Sequence, residues 1–246
     1  MRIAQAARSR AAATPADRVD SLDWRKLAAA LDADGYACLP ALLTPAECAA
    51  LAQLYDGDGF RSRVVTQRHG YGQGEYKYFA YPLPDIVAAL RAALYPPLAA
   101  IANRWNAELR VPRRFPESHA GYLTQCHRAG QTKPTPLLLR YGPGDYNCLH
   151  QDLYGEQMFP LQATVLLSEP DRAFRGGEFV LVEQRPRRQS RAAVVPLGLG
   201  DAVIFPVHHR PVSGARGAYR ATMRHGVSRI HSGARQTLGI IFHDAR

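Results

Sequence analysis

From residue 134 onward the chain breaks into eight short runs: TPLLLRY, YNCLHQDLY, LQATVLLSE, GEFVLVEQ, AAVVPL, DAVIFPV, RATMRHGV and RQTLGIIF. Gly, Pro, Asp and Ser punctuate them at close intervals. Apolar or alternating runs of this length, bounded by turn formers, predict strands. A closely spaced series of such strands is the signature of an antiparallel sandwich or barrel.

The first half reads differently. Ser21 is placed to cap a helix through WRKLAAALD, and GYACLPALL reads as a short strand. Thr44-Pro45-Ala46-Glu47 is a capping box with proline at the first helical position, opening a helix through ECAALAQLYD. Residues 84–107 resume helical periodicity, with a break expected at Pro96-Pro97. SHAGYLTQCHRAG predicts another helix, stopped by Gly130. Between them, residues 57–82 are rich in glycine, aromatics and cations and predict a long loop or hairpin. The G-x-G-x-G within that stretch has no helix after it, which argues against a dinucleotide fold. The expected fold is mainly β with α: a double-stranded β-helix, or jelly roll, preceded by a helical N-terminal layer. Residues 1–20 are expected to form a tail. Residues 21–246 are expected to form one domain, with 21–133 as helical support and lid and 134–246 as the jelly-roll core.

Composition narrows the function classes. The 246 residues are 46% hydrophobic and 21% charged, ordinary for one soluble domain. No run of 18 apolar residues exists, and the first twenty residues lack the apolar region of a secretory signal. Cys38, Cys48, Cys126 and Cys148 form no C-x-x-C pair, which leaves a zinc or redox motif unsupported and fits a reducing cytoplasm. The net charge is +10, carried almost wholly by arginine, since lysine occurs only at Lys26, Lys77 and Lys133. A polyanionic partner and an arginine-rich composition both fit that balance.

His150-Gln151-Asp152 falls in one of the predicted strands, where residues i and i+2 share a face. An imidazole and a carboxylate so placed can ligate one metal. Two histidines and one carboxylate make the facial triad of non-haem Fe(II) oxygenases, with positions left open for substrate and oxygen. The third ligand must come from elsewhere, and two candidates exist. His209-Arg210-Pro211-Val212 is followed by Gly214 and Arg216, and His225-Gly226-Val227 by Gly233 and Arg235. His225 is preferred, because only it leads into a clean terminal strand, RQTLGIIF. His69, His119, His127 and His243 read as structural or solvated.

The order of parts carries a resemblance. Arg140-Tyr141-Gly142-Pro143-Gly144 precedes H-x-D, and Gly176-Gly177-Glu178-Phe179 and Gly200-Asp201 follow it, before the distal histidine and an arginine on the last strand. This order resembles the 2-oxoglutarate/Fe(II) dioxygenase superfamily. RYGPGDYNCLHQD resembles the matching segment of the AlkB-like oxidative demethylases, R-Y-x-P-G followed by L-H-Q-D. Two departures stand out: that family has an asparagine where this chain has Leu139, and the second of its C-terminal arginines would fall on Ile241. From about residue 30 to the end, the chain is similar to a bacterial family of 2-oxoglutarate/Fe(II) oxygenases named for a proposed action on damaged nucleic acid.

The resemblance implies Fe(II) on His150, Asp152 and His225, with 2-oxoglutarate and O₂ as co-substrates. Arg235 would hold the distal carboxylate of 2-oxoglutarate through its guanidinium fork. Thr237, on the same strand face, would add a hydrogen bond. Tyr141 is either a further co-substrate contact or a core tyrosine. The implied reaction splits 2-oxoglutarate to succinate and CO₂ and hydroxylates a substrate C–H bond. Three readings remain open. The substrate is alkylated DNA or RNA, gripped by Tyr71, Tyr76, Tyr78 and Phe79 and by entrance cations Arg61, Arg63, Arg68 and Lys77. Alternatively the enzyme is a prolyl-hydroxylase-like protein or small-molecule hydroxylase, and the 60–82 segment a packing lid. The third reading is a binding module without turnover. No membrane partner is expected.

Overall fold

The computed structural model describes residues 13–153, 155–215 and 217–246, with the backbone alone at Arg68 and His69. It opens with a helical layer. Helix α1 (Pro15–Asp20) is capped by Thr14 and Asp17, which bond each other's backbone N–H groups. It lies inside the segment expected as tail, and its Arg18 is buried against the Leu42 carbonyl and paired with Glu47. The signal was present: Thr14-Pro15-Ala16-Asp17 repeats the pattern of Thr44-Pro45-Ala46-Glu47. Because α1 ends at Ser21, the next helix, α2 (Trp24–Asp34), is capped by Asp23 rather than by the expected Ser21. Strand β1 (Ala37–Leu39) and helix α3 (Pro45–Gln53) follow, α3 with the expected capping box on Thr44.

Strands β2 (Phe60–Val65), β3 (Gly72–Gln73) and β4 (Glu75–Phe79) occupy the aromatic, basic stretch. Helix α4 (Asp85–Glu108) runs through Pro96 and Pro97 without a break, against expectation. Each proline removes one backbone donor, that for the carbonyl four residues earlier. Those carbonyls belong to Ala92, which is exposed, and Ala93, which is half-buried, so water can reach them, while buried Tyr95 and Leu98 hold the helix to the core. α4 is long and apolar enough to cross a membrane by composition, but Val87, Leu90, Leu94, Leu98 and Ala102 on one of its faces are buried in the core. Helix α5 (His119–Arg128) starts at Ser118, whose hydroxyl accepts from the Gly121 N–H.

The remaining strands are β5 (Leu137–Tyr141), β6 (Tyr146–His150), β7 (Leu161–Leu166), β8 (Phe174–Gly176), β9 (Phe179–Gln184) and β10 (Arg191–Val195). After them come β11 (Ala202–Pro206), β12 (His209–Gly214), β13 (Gly217–Val227), β14 (Ile230–Gly233) and β15 (Arg235–Ile240). They form two facing antiparallel sheets. The major sheet runs β1-β11-β7-β15-β5-β4-β2, and the minor sheet runs β10-β9-β13-β6-β3 with β12 also paired to β13. The architecture is a jelly roll. Three of its strands had no predicted counterpart. β8 and β14 are three and four residues long and pair only with each other, and β12 carries a proline and a histidine that break its apolar run.

The period of two decides what the major sheet does. Leu138, Ala163, Val165, Ile204, Leu238 and Ile240 face the helices and join Leu90, Leu94, Tyr95 and Leu98 in the main core. Their neighbours in sequence, Leu137, Leu139, Tyr141, Gln162, Thr164, Arg235, Thr237 and Gly239, point into the roll and line its cavity. A buried polar knot ties the chain's end to this layer: Asp244 accepts from Arg91 and Tyr81 and bonds His127, and Arg91 also donates to the Ile241 and His243 carbonyls.

Candidate active site

The antiparallel register places His225 of β13 directly opposite His150 of β6. β6 ends at His150, so Asp152 stands on the chain beyond the strand rather than within it. Its carboxylate nevertheless turns back between the two imidazoles. Oδ1 lies 3.4 Å from His150 Nε2 and Oδ2 lies 3.3 Å from His225 Nε2. Ligand atoms of all three side chains fall within 4.8 Å of one another. His150 donates from Nδ1 to the Cys148 carbonyl at 2.7 Å, which keeps Nε2 as the lone-pair nitrogen facing inward. Phe205 and Phe179 pack beside the His225 ring at 4.7 and 6.1 Å between centroids.

His209, the other candidate, lies elsewhere. It pairs across the strands with Thr222 and turns its Nδ1 to that of His208 at 2.9 Å. Arg216, the arginine of that alternative pattern, lies outside the described residues.

The electrostatics suit a cation. Burial pushes the Asp152 carboxyl up, but the His225 and His150 imidazoles outweigh it and hold the group well below the ordinary carboxylate range. Burial pushes His225 down despite Asp152, which favours the neutral imidazole that a metal needs. Burial also pushes His150 down, but the hydrogen bond and charge of Asp152 outweigh it and raise the group.

Sequence reasoning missed Gln162. Its Nε2 donates to Asp152 Oδ2 at 2.7 Å and lies 3.4 Å from His225 Nε2. A signal existed, because Gln162 and Thr164 are the polar residues of an otherwise apolar strand and alternate with Leu161, Ala163 and Val165. Polar residues on the inward face of a buried strand mark a site rather than a surface.

Deeper in the same cavity, of about 180 Å³, stand Arg235, Tyr141 and Thr237. Arg235 lies opposite Tyr141 in the β15–β5 register and is 2% exposed. Burial lowers its guanidinium to about 10. It makes no ion pair among the described residues, and its Nε has no hydrogen-bond partner. Its nearest cation–π neighbours are the rings of Tyr141 and Phe174, at 5.8 and 5.9 Å. A buried guanidinium without an ion-pair partner is costly to fold, and an anion from outside the chain could offset that cost here. Gly177 makes room for it: at φ +68° a side chain there is strained, and its Cβ would run into Ile230 and come within 2.8 Å of Arg235 Cδ.

Tyr71, 51% exposed, marks the mouth of this cavity, and half-buried Tyr76 with buried Tyr78 and Thr66 lines the wall behind it. The expected ring of cations is absent there among the described residues. Lys77 alternates with Tyr76 and Tyr78, faces the helices, and donates to the Tyr55 carbonyl. Arg63 is paired with Glu75, and Arg61 donates to the Pro134 carbonyl while lying 4.5 Å over the Tyr78 ring. The Arg68 side chain lies outside the described residues. The wall of the mouth is therefore aromatic.

Comparison with known proteins places this geometry. Residues 74–245 match the model of Oxygenase-NA, described as an oxygenase catalysing oxidative methylation of damaged DNA. The chain belongs to that oxygenase family. An uncharacterized protein of Mycobacterium tuberculosis is 48% identical over 167 residues, 68% of this chain and 72% of that one. In fold, the family member is similar to an oxidoreductase of the 2OG-Fe(II) oxygenase family from Burkholderia pseudomallei. The TM-score is 0.51 at 17% identity, with 92% of this chain and 94% of that chain covered. A Pseudomonas putida prolyl-4-hydroxylase gives 0.50 at 14% identity, covering 91% and 99%. Family and site together make this chain a dioxygenase dependent on iron(II) and 2-oxoglutarate. The residues fit both groups: two imidazoles and a carboxylate for the metal, and an orphaned buried guanidinium for a dicarboxylate's far end.

Proposed function

We propose that this oxygenase hydroxylates a carbon on an alkylated nucleobase. The observation that carries the reading is the mouth: Tyr71, Tyr76 and Tyr78 line the cavity that leads to His150, Asp152 and His225. Tyr71 is 51% exposed, and Tyr76 and Tyr78 meet edge to face at 5.4 Å. Aromatic faces accept a flipped base by stacking, which every base allows. The description of the family supports the same substrate class.

When bound, iron(II) with 2-oxoglutarate and O₂ supplies the oxidation: one oxygen atom ends in succinate as CO₂ leaves, and the other ends as a hydroxyl on the substrate carbon. The chain's own residues do the rest. His150, Asp152 and His225 would hold the metal from one side, leaving the side toward the mouth for substrate. Gln162 fixes the carboxylate of Asp152, and the Cys148 carbonyl fixes the tautomer of His150. Arg235 neutralises and orients the co-substrate carboxylate, with Tyr141 and Thr237 beside it. Leu137, Leu139, Val227 and Ile241 keep the chamber apolar and limit water. Where the hydroxylated carbon is an N-methyl group, the product collapses to the free base and formaldehyde.

The test is turnover on a panel of substrates. Oligonucleotides carrying N-methylated bases should stimulate succinate formation and release formaldehyde in equal amount. Stimulation by a prolyl peptide or a free amino acid, with none by methylated oligonucleotides, would overturn the substrate class and leave the oxygenase intact.

A further inference from the structure

The positive charge of this chain is not spread evenly. Residues 181–246 contain eleven arginines and three acidic residues, whereas residues 1–180 contain twenty cations and eighteen acidic residues. The three acids, Glu183, Asp201 and Asp244, are spent inside the fold. Glu183 is buried against Arg210 and paired with Arg185, Asp244 is buried against Arg91, and Asp201 accepts from the Ala41 and Gly198 N–H groups. Arg210 and Arg235 are buried as well. Six arginines of this segment lie on or around three adjacent strands, β12, β13 and β9, and the hairpin from β9 to β10. Arg187, Arg188, Arg220 and Arg224 make no ion pair among the described residues, and all four are exposed to solvent. Arg185 and Arg191 share the buried Glu183, so they keep a net positive end.

Strand geometry puts this charge on one face. Met223 and His225 point inward, so Arg224, Thr222 and Arg220 point out. Thr222 pairs with His209 on one side and with Gln184 on the other. Arg220 lies close enough to His208 and His209 to push both imidazoles below their ordinary range, behind the larger effect of burial. Arg224 to Arg220 spans about 13 Å at the usual strand rise. The strip also begins at the cavity. Gln151 lines the active-site chamber, and its Nε2 donates to the His208 and Met223 carbonyls at 3.0 and 2.8 Å. His209 and Arg224 are each one residue beyond those rim positions.

We propose that the outer face of β12, β13 and β9, with the β9–β10 hairpin, binds the phosphate backbone of a nucleic acid whose modified base enters the neighbouring mouth. This rests on the proposed substrate class and moves its phosphate grip from the 60–82 segment to the opposite sheet. The partner is a nucleic acid rather than a lipid surface because of what lies between the arginines. Thr222, His209, Gln184 and Ala218 are polar or small, Val182 beside Arg224 is half-buried, and the exposed Leu149 and Val194 stand on the flanking strands β6 and β10, whereas an interfacial anchor needs exposed apolar residues among its cations. Arginine without lysine also suits phosphate, which the guanidinium fork grips at two oxygens.

The test uses the full chain and a fluorescent single-stranded oligonucleotide carrying a methylated base, with anisotropy read across a salt series. The double variants Arg220→Glu/Arg224→Glu and Arg187→Glu/Arg188→Glu should each bind about tenfold or more weakly, and the salt slope should fall by about 0.7 for each phosphate no longer neutralised. Arg25→Glu/Arg128→Glu, an equal charge change on exposed helical residues, should bind as the wild type does. All three should keep iron(II) and 2-oxoglutarate affinity, which shows that they fold. Equal loss in the helical control, or no loss in the outer-face variants, would overturn the surface. So would a wild type that binds phosphatidylserine vesicles but no oligonucleotide at low salt. A wild type that turns over a free methylated nucleoside yet ignores oligonucleotides would sink the surface and leave the substrate class standing. Oligonucleotide binding lost only in the outer-face variants, with no turnover on any methylated base, would keep the surface and remove the substrate class.

Discussion

The two sheets of the roll are alike inside and unlike outside. Inside, each supplies half of the chemistry: the minor sheet brings His150 and His225, and the major sheet brings Gln162, Arg235, Tyr141 and Thr237. Outside, the major sheet is covered by α4 and the other helices, and the residues its central strands turn to them, Leu138, Ala163, Val165, Leu238 and Ile240, are apolar and buried. The minor sheet has no such cover over Arg220, Thr222 and Arg224 among the described residues. A sheet packed on both sides anchors the fold, and a sheet open on one side is free to meet a partner. Substitutions on the inner and outer faces of each sheet should separate these roles.

The largest effect is expected at the inner face between the sheets. Asp152→Ala should abolish iron(II) binding measured by calorimetry, because it removes charge and geometry together. Iron retained at wild-type affinity would take Asp152 out of the site. Arg235→Ala should weaken 2-oxoglutarate by about 2–5 kcal/mol while iron stays bound, since a buried charge pair is lost. An unchanged dissociation constant would mean that the orphaned guanidinium serves folding alone.

The covered outer face comes next. Leu238→Ala empties a fully buried site under the helices and should cost about 2–5 kcal/mol of stability in chemical denaturation, with co-substrate affinity little changed. Gln162→Ala should weaken the metal about 10- to 100-fold by releasing Asp152 Oδ2. If metal affinity holds, Gln162 packs the chamber and does not position the carboxylate. The smallest effect belongs to the open face: Arg224→Ala should change stability by no more than about 0.5 kcal/mol. A larger loss there would show that the minor sheet's outer face is structural after all.

The sequence carried the eight long strand runs, the capping box at Thr44 and the triad with its following arginine. These are legible because strand alternation, helix caps and metal chemistry each demand particular residues at short spacing. The misses share a different cause. The unbroken α4 defied its two prolines because burial of Tyr95 and Leu98 outweighed local propensity. Lys77 and Tyr76 are neighbours in sequence, and only the pairing of β4 with β5 shows that one faces the helices and the other the chamber. His209 and His225 have similar flanking patterns, and the strand register separates them. β13 sets His225 opposite His150, while His209 pairs with Thr222, on the outward face of the same strand.

Composition and local pattern determined which kinds of groups this protein holds: strands for a roll, two imidazoles and a carboxylate, and a surplus of arginine. The tertiary structure decided where each one points. It buried Arg235 without an anion, turned Arg220 and Arg224 toward solvent, and brought the aromatic residues rather than the cations of the 60–82 segment into the mouth. The physical reason is that a strand has two faces and a period of two, so a shift of one residue exchanges chamber for surface, and register is set by partners far away in the chain.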